Sequence, residues 1–174
     1  MKLHALTACT RPDNLPTIAR SLEPDLSCGI DLTWHVRFDP DRLAVGGQAL
    51  KNAMLDDIAD GWIWICDDDN QAHPAFFETL MAMLADNGDV RLIVCAQQHQ
   101  SGWIRRVNRG MLKASHVDAG QIVARRDAIG EHRIPEHYCG DGEFIQALAD
   151  SLTTHQIMYV HHPVVFYNWL RSDS

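Results

Sequence analysis

Trp62-Ile63-Trp64-Ile65-Cys66-Asp67-Asp68-Asp69-Asn70 is an apolar run of strand length that stops abruptly at three adjacent carboxylates. A run without polar residues suits a strand covered on both faces, as in the parallel core of an α/β sheet. In open sheets of that kind ligands bind beyond the carboxyl ends of the strands, where Asp67, Asp68 and Asp69 fall. Adjacent carboxylates repel one another, so a fold that gathers them in a cleft offsets them with a cation. One or two carboxylates are how proteins hold Mg2+ or Mn2+ while leaving positions for substrate phosphates. In an extended D-x-D the first and third side chains share a side, so Asp67 and Asp69 are expected to reach one ligand. The competing reading is a solvated acidic turn capping the helix that opens near Pro74.

On the N-terminal side, Leu3 to Thr7 reads as a first strand, closed by the polar cluster Thr10-Arg11-Pro12-Asp13-Asn14. Asn14 as N-cap and Pro16 in the first turn start a helix to about Leu22. Asp31 to Phe38 alternates like a strand. Ala44 to Ile58 places Leu50, Met54, Leu55 and Ile58 at helical spacing, with Gly61 ending the segment. On the C-terminal side, Phe76, Phe77, Leu80, Met81 and Leu84 form the buried stripe of a helix, and Val90 to Ala96 is a further strand. This β-α-β-α-β-α-β alternation predicts an open, mostly parallel α/β sheet.

Beyond residue 98 the pattern becomes irregular α+β. Gly102 to Val107 and Gly120 to Ala124 read as short strands, and Asp141 to Leu152 as a helix with Phe144, Ile145, Leu148 and Leu152 on one side. Ile157 to Val160 and Val164 to Tyr167 read as two strands separated by His161-His162-Pro163. The expectation is a single domain over 1–174, with 1–97 the regular βαβ half and 98–174 an irregular half capping it.

Composition narrows the function classes. The chain has 174 residues, 46% hydrophobic and 22% charged, an ordinary soluble composition that can form its own core. Fifteen Lys+Arg against 23 Asp+Glu give a net charge of −8, which argues against strong non-specific nucleic-acid or anionic-lipid binding. Five scattered cysteines without a CxxC pair, and no evident signal peptide, predict free thiols in the cytoplasm. No stretch approaches the ~18 apolar residues that span a bilayer.

Several segments together resemble a known family. Thr7-Ala8-Cys9-Thr10-Arg11-Pro12, Ala49-Leu50-Lys51-Asn52-Ala53, Trp64 to Asn70, His116 to Gln121 and Tyr138-Cys139-Gly140-Asp141-Gly142-Glu143 stand in the order of corresponding motifs in small GT-A glycosyltransferases similar to family 2. The resemblance implies a GT-A fold and transfer of a sugar from a nucleotide-diphosphate sugar to an acceptor hydroxyl, inverting and non-processive. It implies Thr7, Arg11, Asn52, Asp67 and Asp68 on the nucleotide-sugar side, with Asp67 at the ribose or the metal. Asp69 would ligate Mn2+ or Mg2+, completed by His161 or His162. Asp118, Gln121 and Arg105 would lie on the acceptor or diphosphate side, and Asp141 would be the general base. The run of three Asp leaves the D-x-D register open, because Asp68 can stand in for either neighbour. The Q-x-x-R-W motif of processive members is absent. The chain is short for the family, so its acceptor region is either pared down or completed by another subunit of a homo-oligomer.

Residue chemistry keeps alternatives beside each assignment. Asp141 suits a helix N-cap as well as a base. His161 and His162 face opposite sides of a strand and cannot share one metal. Arg105, Arg106 and Arg109 form a diphosphate clamp or a solvated basic loop, and Trp103 is a sugar platform or loop packing. Cys139 has no paired His in its local sequence for thiol catalysis. Two other functions stand beside this one: a nucleotidyltransferase or phosphoryl-transfer hydrolase using the same acidic cluster, and a catalytically degenerate nucleotide- or partner-binding GT-A domain. The first is weakened by the lack of glycine between Thr7 and Asn14 and of a P-loop.

Overall fold

The computed structural model describes residues 1–23, 28–39, 41–42, 45–85, 87–108, 110–114 and 116–171. Arg109 and the expected helix start at Ala44 lie outside them.

The strands are β1 (Lys2–Cys9), β2 (Asp31–Phe38), β3 (Trp62–Ile65), β4 (Gln71–Ala72), β5 (Leu92–His99), β6 (Ile104–Arg105), β7 (Ile122–Arg125) and β8 (Ile157–Tyr167). The helices are α1 (Leu15–Ser21), α2 (Gln48–Asp56), α3 (Phe76–Ala85), α4 (Arg126–Ile129) and α5 (Gly140–Asp150). One sheet takes the order β2-β1-β3-β7-β5-β8-β4, with β6 on β5. β1 pairs in parallel with β2 and β3, and β5 with β8. β7 inserts between β3 and β5, antiparallel to both, so β1, β2, β3, β5 and β8 still run one way. The chain thus has the expected mostly parallel α/β sheet flanked by helices, a GT-A-like fold.

The sheet buries both faces. On one, α2 and α5 set Met54, Leu55, Phe144, Ile145 and Leu148 against Leu6, Ile63, Ile65, Leu92 and Val94. On the other, Ile18 of α1 and Phe76, Phe77 and Leu80 of α3 cover Leu3, Ala5, Trp64, Ile93 and Cys95. Alternation along β3 sends Ile63 and Ile65 to one face and Trp64 to the other, as a doubly covered strand requires. Trp64 packs 4.4 Å from Phe76, centroid to centroid, and donates its indole N–H to the Gly120 carbonyl at 3.0 Å.

Four local expectations are corrected. Ile157–Tyr167 is one strand, not two: its register against β5 slips on both sides of the Ala96–Pro163 pair, and the resulting bulge absorbs His161, His162 and Val164. A bulge is where a sheet tolerates a proline, which has no N–H to give the ladder. The Gly102–Val107 strand shrinks to the two residues of β6. α2 starts at Gln48, behind Gly46 and Gly47 at φ 56° and 71°. A Cβ on Gly47 would lie 2.3 Å from that of Ala8, so this entry needs glycine both for its left-handed backbone and for the close approach to β1. Lastly, Asp141 is not the N-cap of α5; Cys139 is, and Asp141 lies inside the first turn.

Candidate active site

β1 and β3 end side by side, so the loops Thr10–Asn14 and Asp67–Asn70 meet at the carboxyl edge of the sheet. β7 runs the other way, so its leading residue Asp118 arrives at the same edge. The D-x-D is a tight turn, not an extended segment: Asn70 N–H donates to the Asp67 carbonyl at 3.0 Å. Within the turn Asp68 and Asp69 share the Arg11 guanidinium, whereas Asp67 pairs with Lys51.

Asp68 turns back into the fold. Its carboxylate accepts from Thr10 N–H at 2.5 Å, the Thr10 hydroxyl at 2.9 Å, Arg11 N–H at 2.7 Å and the Arg11 guanidinium at 2.5 Å. Asp69 lies 3.4 Å from the same guanidinium. Burial, then Asp67 beside it, push its carboxyl up to about 6 against the pull of Arg11.

Asp67 joins a different group. Oxygens of Asp67, Asp118 and Asp141 lie within 4.8 Å of one another, brought together from the β3 turn, the start of β7 and the first turn of α5. Lys51, only 1% exposed, extends from α2 to place Nζ 2.7 Å from Asp67 Oδ1. Burial opposes the Lys51 ammonium, but Asp67, then Asp141 and Asp118, outweigh it and hold its pKa above the usual lysine value. Burial also pushes the Asp141 carboxyl up to about 6; Lys51 pulls it down, and Asp67 and Asp118 push it up. Asp141 Oδ1 is buried without a partner. Asp118 is likewise raised, by burial first and Asp67 second, with Gln97 and Arg105 opposing.

Below the carboxylates lies a polar floor. Asp118 Oδ1 accepts from Gly120 N–H at 2.9 Å and from the Gln97 amide at 3.1 Å. Gln121 caps back onto Asp118 N–H at 3.2 Å and donates to the Cys95 carbonyl at 3.1 Å, fully buried. Asn70 Nδ2 and Gln97 Oε1 are also buried and unpartnered. At the rim the Arg105 guanidinium lies 4.5 Å from the Tyr167 ring centroid and 5.3 Å from that of Trp103, which stacks on His99 at 5.1 Å. Trp103 thus belongs to an aromatic and guanidinium cluster on β5, β6 and β8, electrostatically linked to Asp118 through Arg105.

The other residues singled out by sequence sit apart from this group or are occupied within the fold. Thr7 is fully buried; its hydroxyl donates to the Cys66 carbonyl at 2.6 Å and accepts from Trp34 Nε1 at 2.9 Å. Asn52 clamps the backbone of Ile134 with both ends of its amide, at 2.8 and 2.9 Å. His162 pairs with Thr79 of α3 at 3.1 Å, and the His161 carbonyl accepts from Arg106 at 3.0 Å. Both histidines lie five or six residues before the end of β8, within its bulge.

These positions bear on a divalent ion. The donor set implied for it, Asp69 with a C-terminal histidine, is not assembled, because the bulge in β8 holds both histidines upstream of the carboxyl edge. The Asp67, Asp118 and Asp141 oxygens are spaced for one cation to serve all three, and the Lys51 ammonium is already at Asp67. A divalent ion at this edge would therefore be held by Asp67, Asp118 and Asp141, beside the Lys51 ammonium, and not by Asp69 with a histidine.

Sequence reasoning missed Lys51 as a site residue, although its signal was present. Lys51, Met54, Leu55 and Ile58 follow the i, i+3, i+4, i+7 spacing of a buried stripe. A lysine on such a stripe needs a buried anion. Gln97 offered a weaker signal, an amide directly after the apolar run Leu92 to Ala96.

No protein-family model matches the chain, and no curated protein does. Its fold is similar to solved structures of Staphylococcus aureus TarS. A TarS 1–349 structure in complex with UDP-GlcNAc superposes with a TM-score of 0.74 at 10% identity, covering 95% of this chain and 58% of that one. The complex with UDP gives 0.73 at 10% identity, covering 96% and 60%. The chain thus spans about three fifths of TarS 1–349, and the likeness is one of fold. Among the described residues no helix is long and apolar enough to cross a membrane.

Proposed function

We propose that the chain is a nucleotide-sugar glycosyltransferase that moves a sugar from a nucleoside-diphosphate sugar to an acceptor hydroxyl, inverting and non-processive. The carrying observation is the Asp141 carboxylate at the carboxyl edge of a GT-A-like sheet, one oxygen buried without a partner, beside Asp67, Asp118 and the Lys51 ammonium. A general base must be unprotonated at working pH, accessible to the acceptor proton and close to neutrality in its pKa. A carboxyl pushed up to about 6, chiefly by burial and against the pull of the Lys51 ammonium, suits that task.

In the reaction the acceptor O–H gives its proton to Asp141 as its oxygen attacks the anomeric carbon. The bond to the diphosphate breaks on the opposite face, and the nucleoside diphosphate leaves with the bonding pair. Lys51 is ion-paired with Asp67 and draws Asp141 toward its charged form; Arg105 does the same for Asp118 on the proposed acceptor side. UDP and UDP-GlcNAc, bound by TarS, are the first donors to try. The free thiols of Cys9, Cys28, Cys66, Cys95 and Cys139 support a reducing, cytoplasmic setting.

Thermal stability of the full chain against nucleoside diphosphates, sugar nucleotides and nucleoside triphosphates tests this reading. A ligand at 100 times its Kd adds about 2.7 kcal/mol, a shift of a few degrees. A shift with a sugar nucleotide and its diphosphate is expected. Turnover of a triphosphate with pyrophosphate release would move the assignment to nucleotidyl transfer, and donor binding without transfer to a binding domain.

A further inference from the structure

We propose that the acceptor of this chain is an anionic saccharide, whose carboxylate or phosphate is held by Arg105 on the aromatic cluster of β5, β6 and β8. The inference rests on the glycosyltransferase reading and adds the chemical class of the acceptor.

Charge is unevenly divided along the sequence. Asp and Glu outnumber Lys and Arg by 23 to 15, yet no Asp or Glu falls from Val90 to Val117, where Arg91, Arg105, Arg106, Arg109 and Lys113 lie. A second stretch without Asp or Glu runs from Ser151 to Ser172. These two stretches hold β5, β6 and β8, and both β6 and β8 pair with β5. A chain with a net charge of −8 repels anions at long range, so taking one up requires a local acid-free, basic patch of this kind.

Arg105 is fixed in that patch by geometry. His99, at the end of β5, stands opposite Tyr167 of β8. Gly102 N–H donates to the His99 carbonyl at 2.8 Å, and Gly102 at φ 90° turns Trp103 back over His99. The two rings stack at 5.1 Å, 11° from parallel. The Arg105 guanidinium carbon then lies 4.5 Å from the Tyr167 ring centroid and 5.3 Å from that of Trp103. Trp103 is therefore a seat for Arg105 and not a bare sugar platform. Ring contact occupies the face of a guanidinium and leaves its in-plane N–H donors for the two oxygens of an anion. Among the described residues the arginines in ion pairs are Arg11, Arg37, Arg125 and Arg133, so Arg105 is not already claimed by a carboxylate.

One residue joins this cluster to the reacting group. Arg105 is directly opposite Gln97 in the β5–β6 ladder, which puts both side chains on one face. Gln97 donates to Asp118 Oδ1 at 3.1 Å, and Asp118 gathers with Asp67 and Asp141. An anion on Arg105 thus sits on the Asp118 side of the proposed base. Trp103, 43% exposed, offers the edge of its indole to the rest of the sugar.

NMR titration of the 15N-labelled full chain with glucose, glucuronate and glucose 6-phosphate tests the assignment. At least one anionic probe is expected to shift the Trp103 indole and Arg105 Nε resonances, with a Kd at least about tenfold below that of glucose. That Kd should rise with added NaCl. R105Q should bring anionic and neutral probes to within about twofold of each other, and R105K should recover part of the preference. The tighter of the two anions names the group as carboxylate or phosphate. No binding of either anion, equal affinity for glucose, shifts confined to other residues, or R105Q keeping the preference overturns the assignment. Should R105Q fail to fold, the wild-type shifts and salt dependence decide alone. Sugar nucleotides added to the same samples separate the two readings. Release of nucleoside diphosphate without an anion preference overturns the acceptor assignment alone, and no release from any donor overturns both.

Discussion

Lys51 Nζ lies 2.7 Å from Asp67 Oδ1, with the lysine buried in the sheet-facing side of α2 and the aspartate just past the end of β3. This one contact ties the helix to the turn that defines the candidate site. It also supplies the cation around which Asp118 and Asp141 gather. The energetics are asymmetric: removing one partner of a buried pair leaves an uncompensated charge, whereas removing both need not.

That asymmetry makes Lys51→Met a sharp probe. The substitution should destabilise the chain by about 3–5 kcal/mol. Adding Asp67→Asn should recover part of the loss. Urea unfolding of the two variants measures both, and equal stability of the single and double variants would contradict the account.

Asp141 sets a pH dependence. Its carboxyl is pushed up to about 6, so a base at this position loses transfer activity as pH falls below that value, tenfold per pH unit on the acid limb. The stability effect has the opposite sense. A carboxyl whose folded pKa exceeds its unfolded value of about 3.9 favours the protonated native state. Its stabilising contribution is complete below about pH 4 and is lost as pH rises through about 6. Melting curves across this range should show that loss in the wild type and a smaller one in Asp141→Asn.

Gly142→Ala should destabilise, against helix propensity. Alanine normally favours a helix over glycine by about 1 kcal/mol. Here a Cβ would stand 1.9 Å from the Ala114 carbonyl oxygen, so α5 must move. Overpacking of this kind costs about 1–3 kcal/mol. Because the same turn carries Asp141, transfer should fall along with the melting temperature, and an unchanged or raised melting temperature would refute the packing argument.

Asp68→Ala should loosen the loop after β1. The carboxylate accepts four hydrogen bonds from Thr10 and Arg11, and its removal orphans those donors. The expected cost is about 1–3 kcal/mol. Faster amide exchange at Thr10 and Arg11, with the α5 amides unchanged, would locate the effect.

The legible and illegible parts of the molecule divide along physical lines. β3, α3 and α5 could be read because each carries a long apolar pattern that only one period explains. The acidic edge after β3 could be read because a buried strand must deliver the next residues of the chain to the carboxyl end of the sheet. The antiparallel insertion of β7 could not, since pairing between distant segments leaves no local trace. The bulge in β8 hid behind His161-His162-Pro163, which imitates a turn. Gly140 and Gly142, on either side of Asp141, mark close approach to backbone, to Pro135 and Ala114, which no local pattern announces. The roles within Asp67-Asp68-Asp69 depended on a turn that gives Asp68 and Asp69 to Arg11 and Asp67 to Lys51.

The central claim, donor cleavage assisted by Asp141 at this edge, is tested most directly by 31P NMR of sugar nucleotides, UDP-GlcNAc first, incubated with the wild-type chain and with Asp141→Asn. The account predicts slow release of nucleoside diphosphate from at least one donor by the wild type, and donor binding with release lost in the variant. A variant that releases the diphosphate as fast as the wild type, or a wild type that cleaves no donor, would contradict it.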